Sequence, residues 1–134
     1  MILTDSGPLI ALPNRGDEDH ELCRSTLASV AGPMLTSTAC LTEALHLANA
    51  RSGWAAQDAL LKLVTRGDLV VADLTTADLE RCRALMARYR NVPMDFADAT
   101  LVVVAERRRL HRIFTLDSDF RIYRVGRACF ELIP

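Results

Sequence analysis

Six carboxylates in this chain occupy positions that raise a chemical question: Asp5, Glu43, Asp95, Asp98, Asp117 and Asp119. Asp5 follows Met1–Thr4, an apolar opening that reads as a strand, and Ser6-Gly7-Pro8 comes next. Asp117 and Asp119 follow a second strand-like run, "RIFTL". Glu43 sits in "CLTEALHLA", where helical spacing puts it beside Cys40 and Leu47, on the apolar side of the turn. Asp98 begins the inward row Asp98, Val102, Ala105, with Asp95 one turn earlier. Any one of these acids is equally well read as a helix N-cap or a rim residue. Together they are expensive: two unit charges ~4 Å apart repel by about 4 kcal/mol at an effective dielectric near 20. A domain stable by only about 5–15 kcal/mol needs relief from several such pairs. Protonation gives some relief. A hard divalent cation gives more, and oxygen ligands without Cys or His favour Mg²⁺ or Mn²⁺.

Alternating elements must carry these acids. Met1–Thr4, Met34–Thr36, Leu69–Leu74, Arg112–Asp117 and Ala128–Ile133 read as strands, with "LVVADL" buried by its β-branched content. Helices are expected over Glu18–Ala31 (with Asp17 as N-cap), Thr38–Ala50, Ser52 to Gly67, Thr76–Tyr89 and Asp95–Arg109. Strands alternating with helices predict an α/β sandwich around a mainly parallel sheet. Ligands in such folds bind beyond the carboxyl ends of the strands, where Asp5, Asp117 and Asp119 would emerge together.

Composition agrees with a folded, non-membrane protein. The chain has 134 residues, half of them hydrophobic and a quarter charged, which is enough for one real core. No apolar run approaches the ~20 residues of a membrane span. The lack of a basic-then-apolar leader leads us to expect a cytoplasmic protein. Cys23, Cys40, Cys82 and Cys129 are scattered without a CxxC, and are expected to be buried, reduced thiols rather than zinc ligands. Charge is uneven: residues 1–80 carry 5 Lys/Arg against 11 Asp/Glu, and residues 81–134 carry 11 Arg against 6 Asp/Glu. Arg107, Arg108, Arg109 and Arg112 form a cluster suited to phosphate binding, or simply to a solvated helix end.

"TDSGPLIAL", "LTEALHLA", "PMDFADATLVVVAE" and "TLDSDF" occur in the order and spacing of PIN-domain ribonucleases. Over essentially its whole length the chain resembles that family, and especially the VapC-like toxins of toxin–antitoxin pairs. The resemblance implies one PIN-like domain over residues 1–134, a three-layer α/β/α sandwich. It implies a Mg²⁺-dependent endoribonuclease (Mn²⁺ substituting) with Asp5, Glu43 and Asp98 as site acids. The fourth is Asp117 or Asp119. Asp5 and Asp98 would be the main metal ligands, with Glu43 and Asp117 binding directly or through water. Ser6 and Thr115 match hydroxyl positions that accompany the acids, while Gly7 departs from the polar residue often found there. The resemblance further implies an RNA substrate, a small antitoxin partner and a homodimer.

Other acidic motifs fit less well. "DLVVADL" is similar to the phospho-acceptor strand of receiver domains, with Asp73 as acceptor. Receivers also need paired acids after the first strand and a late lysine, and the only lysine here is Lys62. The "DSD" of Asp117–Asp119 is similar to a dehalogenase-type phosphatase motif, but that motif opens its fold, and this one nearly ends the chain. The remaining rival is a catalytically idle PIN-like scaffold kept for protein binding. Loss of an acid would mark it, and no acid is missing.

Overall fold

A computed structural model describes residues 1–134. Its five-stranded sheet has the order β3-β2-β1-β4-β7, with every pairing parallel. The strands are β1 (Ile2–Thr4), β2 (Met34–Ser37), β3 (Leu69–Ala72), β4 (Arg112–Phe114) and β7 (Glu131–Ile133). Between them run α1 (Ser6–Ala11), α2 (His20–Ala28), α3 (Thr38–Ser52), α4 (Trp54–Thr65), α5 (Thr76–Arg88) and α6 (Phe96–Arg108). A 3₁₀ helix (Ser118–Arg121) and an antiparallel pair, β5 (Arg124–Val125) with β6 (Ala128–Cys129), precede β7.

Strand alternation builds the layers. Ile2, Met34 and Leu69 are in register and face one side. There they join Leu9, Cys23, Ala44, Leu60 and Phe114 in one core. Leu3, Leu35 and Ile113 face the other side, in a larger core with Cys82, Leu85, Val102 and Tyr123. Successive side chains on a strand point to opposite faces, so one sheet needs helices on both sides. The predicted α/β/α sandwich with a parallel sheet is the observed architecture.

Several local expectations need correction. The "SGPLIA" segment is helical: Pro8 lies in the first turn of α1, where a missing N–H costs nothing. Helix α2 starts at His20, after a turn in which Asp17 Oδ1 accepts from Asp19 N–H, so Asp17 is not its N-cap. β3 is an edge strand and only half-buried at Val70 and Val71, rather than a fully buried one. The last expected strand is divided, since β6 pairs back on β5 while β7 pairs with β4. Three cysteines are buried, but Cys129 is exposed.

The sheet order sets where a ligand can enter. The chain moves outward from β1 to β2 and β3, then returns to place β4 on the other side of β1. The strand order therefore reverses between β1 and β4. The crevice beyond the carboxyl ends of two such strands is where open α/β sheets bind ligands.

Candidate active site

Asp5 stands at that crevice. Its backbone N–H donates to the Phe114 carbonyl at 3.0 Å, tying the end of β1 to β4. Its extended backbone makes it the N-cap of α1, and Oδ1 accepts from Ser6 N–H at 2.7 Å. Oδ2 accepts from the Thr115 hydroxyl at 2.7 Å. Burial pushes the carboxyl pKa up; the Thr115 and Ser6 bonds oppose this, and the charges of Asp117 and Asp95 add to it.

Asp98 enters from α6. It is the N3 residue of a capping box: its N–H donates to Asp95 Oδ1 at 2.8 Å, and its Oδ2 faces Asp95 N–H at 3.5 Å. The N-cap reading of Asp95 is borne out, and its charge also acts on Asp98. From Ala97 to Ala105 the helix is buried on every side. That packing leaves Asp98 little freedom. Burial, followed by the charges of Asp95 and Asp5, pushes its pKa up to about 7.

Glu43 is brought in by α3, which packs on α1. It is half-buried, and burial followed by the charges of Asp95 and Asp5 raises its pKa, with the Ser6 side chain opposing. A buried bond between α3 and α6 sets the distance between their acids. Ser37 caps α3, accepting from Cys40 N–H at 3.1 Å, and its hydroxyl lies 2.7 Å from that of Thr100. Thr100 sends its own proton to the Ala97 carbonyl at 2.6 Å, so Ser37 is the donor between the two.

The two candidates for the fourth acid part company here. Asp117 N–H donates to Thr115 Oγ1 at 3.0 Å, and its charge acts on Asp5. Asp119 lies in the first turn of the 3₁₀ helix, donates its N–H to Asp117 Oδ1 at 2.9 Å, and acts on Tyr123. The charges of Asp117 and Asp95 thus act on Asp5, and those of Asp95 and Asp5 on Asp98 and Glu43, whereas Asp119 acts, with Asp117, on Tyr123.

The arginine cluster is not brought to this edge. Arg107 lies about 13 Å along the α6 axis from Asp98, at 1.5 Å per residue. It donates to the Asp73 carbonyl at 2.8 Å and to Asp78 at 2.7 Å. Arg108 ends α6, Arg109 caps it in a left-handed conformation, and Arg112 pairs with Glu131 at the opposite end of β4. Other arginines stand closer. Arg51 shares with Ser6, Gly7, Asn14 and Leu116 an open cleft of about 690 Å³. Arg121 shares a smaller hollow of about 190 Å³ with Thr115 and Asp117.

None of Asp5, Glu43, Asp95, Asp98 and Asp117 takes part in an ion pair; all seven ion pairs in the protein involve other carboxylates. Asp5 and Asp98 are buried, Glu43 and Asp117 half-buried and Asp95 exposed; carboxylates of one sign without a cation are a donor set that a hard divalent ion fits. No three acidic, His or Cys side chains converge tightly enough to form a ready-made cage.

The match to the PIN domain family covers residues 2–126. The chain belongs to the PIN-domain family. A curated relative, Ribonuclease VapC26 of Mycobacterium tuberculosis, is 28% identical over 135 residues, spanning 99% of this chain and 100% of that protein. Among solved structures, the crystal structure of Mycobacterium tuberculosis VapC20, a sarcin–ricin loop cleaving toxin, superposes with a TM-score of 0.86 at 25% identity over 100% of both chains. A toxin–antitoxin complex from Klebsiella pneumoniae shares the fold with a TM-score of 0.68 at 19% identity over 90% of both chains. The resemblance carried by the four sequence motifs is thereby borne out at the level of family and fold.

One member of this PIN-domain site was missed in the sequence: Tyr123, whose hydroxyl donates to Asp98 Oδ2 at 3.2 Å. Its only signal was its type, since a buried tyrosine almost always finds a partner for its hydroxyl.

Proposed function

We propose that this PIN-domain protein is a metal-dependent endoribonuclease and the toxin of a toxin–antitoxin pair. One observation carries the reading: Asp5 and Asp98 are buried at the switch point between β1 and β4, flanked by Glu43 and Asp117, with no cation of the protein's own. The VapC names of its relatives supply the substrate class, RNA, and the antitoxin. Asp5 and Asp98 would hold Mg²⁺, or Mn²⁺ in its place, with Glu43 and Asp117 binding directly or through water. When bound, such an ion polarises a phosphate and makes a neighbouring water more acidic.

The chain's own residues do the rest. Ser6 N–H and the Thr115 hydroxyl fix both oxygens of Asp5. Glu43, with its raised pKa, is suited to orient the attacking water and take its proton. Arg121, which shares a hollow with Thr115 and Asp117, would meet a flanking phosphate and offset part of the repulsion between RNA and the acids; Arg51 is paired with Asp17 at 3.7 Å. We further propose a cytoplasmic homodimer neutralised by its antitoxin.

The test is cleavage of a structured RNA by the purified protein in Mn²⁺ or Mg²⁺. Cleavage that stops in EDTA and is lost in Asp5→Ala is the expected result. Cleavage unchanged by thorough chelation sinks the metal reading, and no cleavage of any RNA with normal folding favours the idle scaffold.

A further inference from the structure

Asp98 presents two unequal oxygens. Oδ2 accepts from the Tyr123 hydroxyl at 3.2 Å and faces Asp95 N–H at 3.5 Å. Oδ1 accepts from no protein group. It is not sealed in either: among buried side chains, only the Tyr89 hydroxyl lacks both a partner and solvent. One oxygen of the carboxylate is therefore anchored, while the other has no protein partner and is not sealed from solvent.

The anchor is rigid. Tyr123 is fully buried, and its ring meets Tyr89 and Phe120 edge-on, with centroids 5.1 Å and 5.2 Å apart. Phe120 in turn packs edge-on against Phe130 at 5.7 Å. Phe120 also belongs to the 3₁₀ helix that Asp117 caps. One aromatic block thus connects the turn carrying Asp117 to the carboxylate of Asp98, although the two acids come from different elements.

We propose that Tyr123 is a positioning residue: its hydroxyl holds Asp98 Oδ2, so that Oδ1 is the oxygen offered to the divalent cation. This rests on the metal-dependent reading of the site. A phenol that merely filled the core would leave metal binding indifferent to its hydroxyl. Loss of an outer-shell partner of this kind typically costs about 10–100-fold in metal affinity or activity. Neighbouring Tyr89 is the natural control, since its hydroxyl has no partner to lose.

The experiment compares wild type, Tyr123→Phe and Tyr89→Phe as full chains. Melting temperature is followed against Mn²⁺ concentration, and RNA cleavage is measured at saturating Mn²⁺. For Tyr123→Phe the Mn²⁺ midpoint should rise about tenfold, with kcat lowered and the KM for RNA unchanged. Tyr89→Phe should follow wild type. Identical Mn²⁺ midpoints for wild type and Tyr123→Phe overturn the role of Tyr123 but leave the metal reading intact. A wild type whose melting ignores Mn²⁺ overturns the metal reading, and the proposal with it. Should Tyr123→Phe not fold, fluorotyrosine-labelled wild type gives one ¹⁹F line for each of the two tyrosines. Titration with Mg²⁺ should move the Tyr123 line more than the Tyr89 line, and equal or absent shifts refute the proposal.

Discussion

The Thr115 hydroxyl donates to Asp5 Oδ2 at 2.7 Å across 110 residues of sequence. The bond spans the crevice between β1 and β4, the point where the strand order reverses. The same Thr115 oxygen accepts from Asp117 N–H at 3.0 Å. One side chain thereby fixes the carboxylate that ends the first strand and the backbone that carries a second carboxylate beyond the fourth. The carboxylate at the tip of the first strand is accounted for by this arrangement. It caps a short helix and takes a bond from the residue after the neighbouring strand.

Thr115→Val keeps the shape and removes the hydroxyl. Asp5 would lose a donor in a buried setting, and Asp117 N–H its acceptor. Hydrogen bonds to charged groups are worth about 1.5–3 kcal/mol, so a destabilisation of about that size is expected in chemical denaturation with EDTA present. RNA cleavage should fall at least tenfold, about 1.4 kcal/mol of transition-state stabilisation. A variant as stable and as active as wild type would show that the bond positions nothing.

The pH dependence of the metal-free protein has a definite sign. The folded pKa of Asp98 is raised from 3.8 to about 7, so between those values the native state binds a proton that the unfolded chain has released. The stability this provides is complete below the unfolded pKa and is lost as pH rises through about 7. Melting curves in EDTA should therefore drop from pH 5 to pH 8. Asp98→Asn removes the charge with little change of shape, so it should flatten that slope and melt at or above wild type at pH 8. A variant that melts well below wild type at pH 8 would make Asp98 a structural residue.

Much of this site is readable in the sequence because it depends on periodicity. The row Asp98, Val102, Ala105 places an acid on a helix buried all round, and that helix is present. Other features depend on contacts that no periodicity encodes. Helix α1 was hidden because Ser-Gly-Pro usually marks a turn, whereas Pro8 sits where a helix needs no N–H. The edge position of β3 follows from sheet order, which the local apolar run "LVVADL" does not carry. Tyr123 meets Asp98 only through the 3₁₀ helix and the short hairpin near the chain's end. The arginine run was legible as charge, but its position at the far end of α6 depends on the direction of the helix and on the partner Asp78.

That placement separates structural from RNA-facing arginines. Arg107 pairs with half-exposed geometry to the buried Asp78, so Arg107→Gln should lower stability modestly and leave the KM for RNA unchanged. Arg121→Ala, beside Asp117, should raise that KM. If Arg121 meets one phosphate, the variant should also reduce the slope of log affinity against log salt by about 0.7 to 1. Cleavage kinetics of the single variants give KM, chemical denaturation gives the stability of Arg107→Gln, and filter binding in a catalytically dead Asp5→Ala background at several salt concentrations gives the salt slope. An Arg107 variant with the larger RNA defect would return the interface to the cluster at the end of α6.

Metal should act on the fold as well as on the chemistry. In the metal-free wild type burial raises the pKa of Asp5 and Asp98, and neighbouring charges add to it: Asp117 and Asp95 on Asp5, Asp95 and Asp5 on Asp98. A divalent cation bound only by the native state stabilises it by mass action, about 2.7 kcal/mol at a hundredfold excess over the dissociation constant. For a chain of 134 residues that is a rise of several degrees in melting temperature. The rise should grow with the logarithm of Mn²⁺ concentration and be reversed by EDTA. Asp98→Asn should lose most of it, because the variant has already discharged part of the repulsion and offers a weaker ligand. Asp119→Asn should keep it, since the charge of Asp117 acts on Asp5 whereas that of Asp119 does not. Melting curves of wild type, Asp98→Asn, Asp117→Asn and Asp119→Asn across a Mn²⁺ series decide the matter. An Asp119→Asn variant that loses the metal response while an Asp117→Asn variant keeps it would move the fourth acid from Asp117 to Asp119.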